Sequence, residues 1–144
     1  MNLLVDTNVL VFAVHEGSSR HEAAREFLEA QRESGVCLTW SILYEWLRVV
    51  THPRVFSRPL DPTRAREFVV ELAGDPGTDI LVETPHHLRF MALVLDEAPA
   101  LRGNLYHDAH IVALMREHGV SRIATYDGHF RLFPSIETVD PSRQ

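Results

Sequence analysis

The chain has 144 residues, 45% of them hydrophobic, and a formal net charge of −6, enough to bury a core in one domain spanning residues 1–144 without staples. All fourteen of its basic residues are arginine, which excludes chemistry that needs a lysine, whether a P-loop, a Schiff base or a lysine-assisted aspartyl phosphate. Cys37 is the single cysteine, so no internal disulfide forms, and no stretch approaches the roughly 18 apolar residues of a membrane span; a soluble, cytoplasmic protein is expected.

Leu3-Leu4-Val5 reads as a strand, which Asp6 interrupts before it could serve as a signal-peptide core. Residues 9–14 are rich in β-branched side chains, so Asp6-Thr7-Asn8 is either a hairpin turn or a strand-to-helix turn. Ser19-Arg20-His21-Glu22 reads as a capping box opening a helix through Phe27 and Leu28 that stops near Gly35. A strand over 36–39 follows, with Cys37 inside it, and then a helix over 41–50 that ends before Pro53. Residues 51–59 have no period and read as a loop. Asp61-Pro62 forms an N-cap and N1 pair for a helix ending at Gly74. A strand over 80–82, a helix opened by Thr84-Pro85, a loop over 99–104 and a helix over 106–118 come next. Gly119 ends that helix and leads into a strand over 120–125, with a last strand over 136–139. This alternation predicts an α/β fold with a parallel sheet between helices.

Four acids stand out against these elements. Asp108 lies near the middle of the apolar arc formed by Ile111, Val112, Leu114 and Met115, where an unpaired carboxylate is costly; it either caps its helix or needs a partner elsewhere. Asp6 and Asp127 each follow a strand, at the carboxyl ends where parallel sheets gather ligands, though both also fit simple turns. Glu45 borders the apolar arc of its helix beside Val49, as a solvated edge residue or as a fourth member of one site.

Leu4-Val5-Asp6-Thr7-Asn8-Val9-Leu10, Glu45 in its mid-chain helix, Tyr106-His107-Asp108-Ala109-His110 and Thr125-Tyr126-Asp127-Gly128-His129-Phe130 with Pro134 occur in that order. Over essentially its whole length the chain resembles the PIN-domain endoribonucleases, specifically VapC-type toxins of toxin–antitoxin pairs. The resemblance implies a PIN-like fold, a central parallel β-sheet flanked by helices on both faces, and a helix over residues 9–14. It also implies an acidic site of Asp6, Glu45, Asp108 and Asp127, an RNA substrate, a cognate antitoxin that blocks the site, a homodimer and inhibition of translation.

Carboxylates suit that chemistry because Mg²⁺ and Mn²⁺ are hard ions that take oxygen ligands and keep several waters. Such an ion activates water and neutralises charge at phosphorus. Asp6 and Asp108 are the expected direct metal ligands, with Asp127 and Glu45 acting through water or a second ion. Asn8 and Thr125 either orient these groups or serve as a helix cap and a strand-end hydrogen bond. Arg48, Arg54, Arg58, Arg64, Arg66 and Arg102 form either a basic rim for RNA or a scatter of surface charges, a choice that the net charge of −6 makes important. His107-Asp108, with His86-His87, also fits an HD phosphohydrolase, but that all-helical family leaves the strands unexplained; His107 and His110 are expected in solvent. A catalytically silent PIN fold that binds a protein partner is the remaining alternative.

Overall fold

The computed structural model of the chain describes residues 3–143. Five strands, β1 (Leu3–Val5), β2 (Val36–Leu38), β3 (Thr78–Ile80), β4 (Arg122–Ala124) and β5 (Glu137–Val139), form one sheet in the order β3-β2-β1-β4-β5, parallel throughout. The helices are α1 (Thr7–Phe12), α2 (His21–Ala30), α3 (Trp40–Thr51), α4 (Pro62–Gly74), α5 (His87–Glu97) and α6 (Leu105–Glu117), with a 3-10 turn over Gly128–Leu132.

Every residue of the central strand β1 is buried. Successive strand side chains face opposite ways, so both faces of the sheet are covered, as the unbroken apolar runs of a parallel sheet require. The helices pack as two groups, α1 with α2 and α3, α3 with α4, and separately α5 with α6. Trp46 ties the first group together: its fully buried ring stacks on Phe68 of α4, and its indole N–H donates to Leu10 O of α1 at 3.1 Å. Satisfying that N–H inside the core is what makes a buried tryptophan stabilising there. In α6, Ala109 and every residue from Ile111 to Met115 are buried, so this helix is enclosed on most of its circumference.

Residues 9–14 resolve as helix only to Phe12, with Ala13 and Val14 in the following turn. The capping box at Ser19 does not form. Arg20 occupies the N-cap without a side-chain bond, Ser18 Oγ accepts from Arg20 N, and α2 ends at Ala30. Arg20 is instead drawn over the rings of Tyr126 and Phe12, at 4.5 and 5.4 Å from their centroids, a cation–π contact that local sequence does not reveal. The third strand begins two residues before the expected 80–82, because Val36 pairs with Thr78 and Val36 N donates to Gly77 O at 2.9 Å. Gly35, at φ +78°, permits this approach; a Cβ there would lie 2.6 Å from Gly77 O. Helix α5 starts at His87, not at Pro85, since Thr84 closes a turn by accepting from His86 N and His87 N.

The connections from β1 through β2 to β3 run toward one edge of the sheet, and β4 then returns to the other side of β1. The carboxyl ends of β1 and β4 therefore flank the point where strand order reverses, the place where open α/β sheets form a crevice.

Candidate active site

Asp6 is the first residue after β1, and the ladder reaches it: Asp6 N donates to Ala124 O at 3.0 Å. Its side chain caps α1, Oδ1 accepting from Thr7 N at 2.8 Å. Its other oxygen, Oδ2, accepts from Thr125 Oγ1 at 2.8 Å and from Asn8 Nδ2 at 3.4 Å. The residue is 8% exposed. Burial pushes its carboxyl above the ordinary range, while the Thr125 hydroxyl and the Thr7 amide pull the other way. The turn and the site are thus the same object, with Asp6 both helix cap and cleft wall.

Thr125 and Asn8 brace the strand ends. The Thr125 hydroxyl accepts from Asp127 N at 2.9 Å and from Asn8 Nδ2 at 3.2 Å. Asn8 Oδ1 accepts from Tyr126 N at 3.1 Å, which fixes the orientation of its amide. Asp127 caps the 3-10 turn, Oδ1 accepting from His129 N at 2.8 Å.

Asp108 is different. It lies in the first turn of α6 but does not cap it, since the N-cap is Asn104. Among the described residues nothing donates a hydrogen bond to its carboxylate, and the nearest basic side-chain atom is His129 Nδ1 at 3.9 Å. Burial foremost, then the charges of Asp127 and Asp6, push its pKa to about 6.

Asp6, Glu45, Asp108 and Asp127 all line one open cleft of about 1070 Å³. Ligand atoms of Asp108, Asp127 and His129 lie within 4.8 Å of one another, and Asp6 and Glu45 stand outside that trio. Glu45 faces the cleft from α3 and is held by Arg48, whose Nε donates to Oε2 at 3.1 Å; this bond keeps its carboxyl below the ordinary range. His129 received no role from the sequence, yet it folds back so that Nδ1 is 3.1 Å from Asp127 Oδ1. Its position two residues after a capping aspartate was the available signal. His107 is exposed, as expected, at the edge of the cleft, whereas His110 is half-buried and contacts Glu83 at 2.6 Å. Of the six arginines considered for a rim, Arg48 and Arg102 reach the cleft, while Arg54, Arg58, Arg64 and Arg66 do not line it. His87 pairs with Glu117, and the five-stranded sheet rules out the HD phosphohydrolase architecture.

Four carboxylates on one cleft, one of them unpaired and desolvated, fit a hard divalent cation: charge crowding is relieved when the cation binds, and oxygen donors are what Mg²⁺ and Mn²⁺ take.

A family model described as the PIN domain matches residues 3–135. The chain is 36% identical over 143 residues to Ribonuclease VapC48 of Mycobacterium tuberculosis, covering 98% of each chain, and 30% identical over 140 residues to Ribonuclease VapC37 of the same species, covering 96% of each. In fold it is similar to VapBC2 from Rickettsia felis, a structure bound to a promoter DNA fragment, with a TM-score of 0.68 at 14% identity over 96% of this chain and 98% of that one. It is also similar to M. tuberculosis VapC20, described as a sarcin-ricin loop cleaving toxin, with a TM-score of 0.65 at 20% identity over 90% and 92%. The full-length match in sequence and the switch-point cleft agree: this chain belongs to the PIN-domain family, among the VapC-type ribonucleases.

Proposed function

We propose that the chain is a Mg²⁺- or Mn²⁺-dependent endoribonuclease that hydrolyses RNA phosphodiester bonds, acting as the toxin of a toxin–antitoxin pair and inhibiting translation. The observation that carries this reading is the unpaired Asp108 carboxylate facing the same cleft as Asp6, Asp127 and Glu45. Asp6, Asp108 and Asp127 would hold the ion, with His129 beside Asp108 and Asp127. When bound, the ion makes water a better acid and offsets charge developing on the phosphate.

The chain's own residues set the rest. Thr125 and Asn8 fix the Asp6 carboxylate, so it meets the substrate in one orientation. Glu45, across the cleft, accepts a proton or orders a water near the scissile phosphate. Arg102 lies along the cleft and supplies positive charge to the RNA backbone that the chain's net charge does not, and His107 lines the cleft with it. The cleft opens to solvent, so a polymer substrate can reach its acids.

The relatives' names and the VapBC2 complex support an antitoxin partner. An arginine of that partner, with its planar fork, matches the paired carboxylates, and a homodimer is the expected assembly. Among the described residues no helix is long and apolar enough to cross a membrane. The direct test is incubation of purified protein with RNA and Mg²⁺ or Mn²⁺. Internal cleavage that stops when a chelator is added supports the reading; cleavage indifferent to chelator contradicts it.

A further inference from the structure

We propose that Glu83, His87 and His110 form a separate metal site, selective for a transition ion such as Zn²⁺, that clips the segment after β3 and the start of α5 to α6. Ligand atoms of these three residues lie within 4.8 Å of one another. Tetrahedral zinc with bonds of about 2.1 Å holds its ligands about 3.4 Å apart, so rotamer adjustments close the set. Two imidazoles and one carboxylate favour zinc-like ions over Mg²⁺.

The surroundings are arranged as metal-bound histidines are. The Glu117 side chain is completely buried and engages His87 Nδ1, which leaves His87 Nε2 as the free ring nitrogen. A carboxylate behind a ligating histidine fixes its tautomer and orientation. The other Glu117 oxygen accepts from Thr84 N at 2.9 Å, and Val82 O lies 2.7 Å from His118 Nε2. The segment carrying Glu83 is therefore pinned to α6 on both sides of it. The His87 and His110 rings already meet edge to face with centroids 5.6 Å apart. Glu83 and His110 keep about half and two-fifths of their side chains exposed, which leaves room for water as fourth ligand.

This site is distinct from the acidic cleft, which none of the three residues lines. His110 follows Asp108 by two positions, about 200° around the helix.

The test uses untagged full-length protein, Zn²⁺ uptake by competition with a chromophoric chelator, and Co²⁺ as a visible-absorption probe. The Asp108→Asn/Asp127→Asn double variant, in which the acidic cleft no longer competes for the ion, should bind one Zn²⁺, and its Co²⁺ form should show a four-coordinate spectrum. Introduced into that double variant, Glu83→Ala or His87→Ala should weaken binding more than about tenfold and abolish the Zn²⁺-induced rise in melting temperature. His87→Ala strands the buried Glu117 and can disturb folding, so exposed Glu83→Ala is the deciding variant. Unchanged uptake on adding Glu83→Ala, loss of uptake in the double variant, or no uptake at all would show that these residues make only two side-chain hydrogen bonds.

Discussion

Thr125 Oγ1 donates to Asp6 Oδ2 at 2.8 Å across 119 positions of sequence, a buried side-chain hydrogen bond that joins the carboxyl ends of β4 and β1. Because the same hydroxyl accepts from Asp127 N, one side chain sets two of the four acids. Thr125→Val keeps the shape and removes both partners. It should cost about 1–3 kcal/mol of stability, push the Asp6 carboxyl higher still and slow RNA cleavage, while Thr125→Ser should retain most of both. Denaturant unfolding together with cleavage rates checks this; a valine variant as stable and active as wild type would contradict it.

Burial of Asp108, with the crowding of Asp127 and Asp6, makes metal-free stability depend on pH. The folded chain protonates this carboxyl near 6 against an ordinary 3.8. Between those values the folded state binds more protons than the unfolded one, so stability falls as pH rises through that window. At pH 7, Asp108→Asn should be more stable than wild type by about 1–2 kcal/mol, once solvent screening at the mouth of the cleft is allowed for. At pH 4 the two should nearly coincide. Mg²⁺ or Mn²⁺ at a hundred times its dissociation constant should stabilise wild type by about 2.7 kcal/mol and the variant much less. Exposed Asp96→Asn on α5 is the control. A wild-type-minus-variant difference that stays flat from pH 4 to 7 would remove the crowding argument.

Glu45 separates structure from catalysis. Its pair with Arg48 is about half exposed on both sides, so solvent screening leaves it little to contribute to stability. Glu45→Gln should leave the melting temperature nearly unchanged and lower kcat more than about tenfold, in the range of a lost acid–base group. Unaltered kcat would make Glu45 a solvated helix edge.

The partner should read the same carboxylates. Co-expression with the cognate antitoxin should give a stable complex with suppressed cleavage, relieved by changing one inserted arginine to alanine. Inhibition that survives replacement of every basic residue in the inhibitor's tail would show that the cleft is blocked by other means.

Much of this was legible in the sequence where a residue conflicted with its local pattern. Asp108 in an apolar arc could be read that way because α6 is buried on most sides, and periodicity reports burial. Asp6 and Asp127 could be read because each ends an apolar strand. What escaped was set by contacts between distant segments. Arg20 stacks on Tyr126 and so displaces the expected cap at Ser19; Gly35 meets Gly77 and shifts β3; His129 reaches Asp127 only through the 3-10 turn. Local propensity carries no information about such partners, and the β-branched run after Asn8 became helix because Val9 and Leu10 are buried and Leu10 O meets Trp46.

The most direct measurement is the single-turnover rate of RNA cleavage in Mg²⁺ for wild type, Asp6→Asn and Asp108→Asn, with circular dichroism confirming that each is folded. Both variants should lose orders of magnitude, about 10²- to 10⁴-fold, equivalent to roughly 3–5 kcal/mol of charge stabilisation. Folded variants that cleave at the wild-type rate would contradict the assignment of the acidic cleft as the catalytic centre.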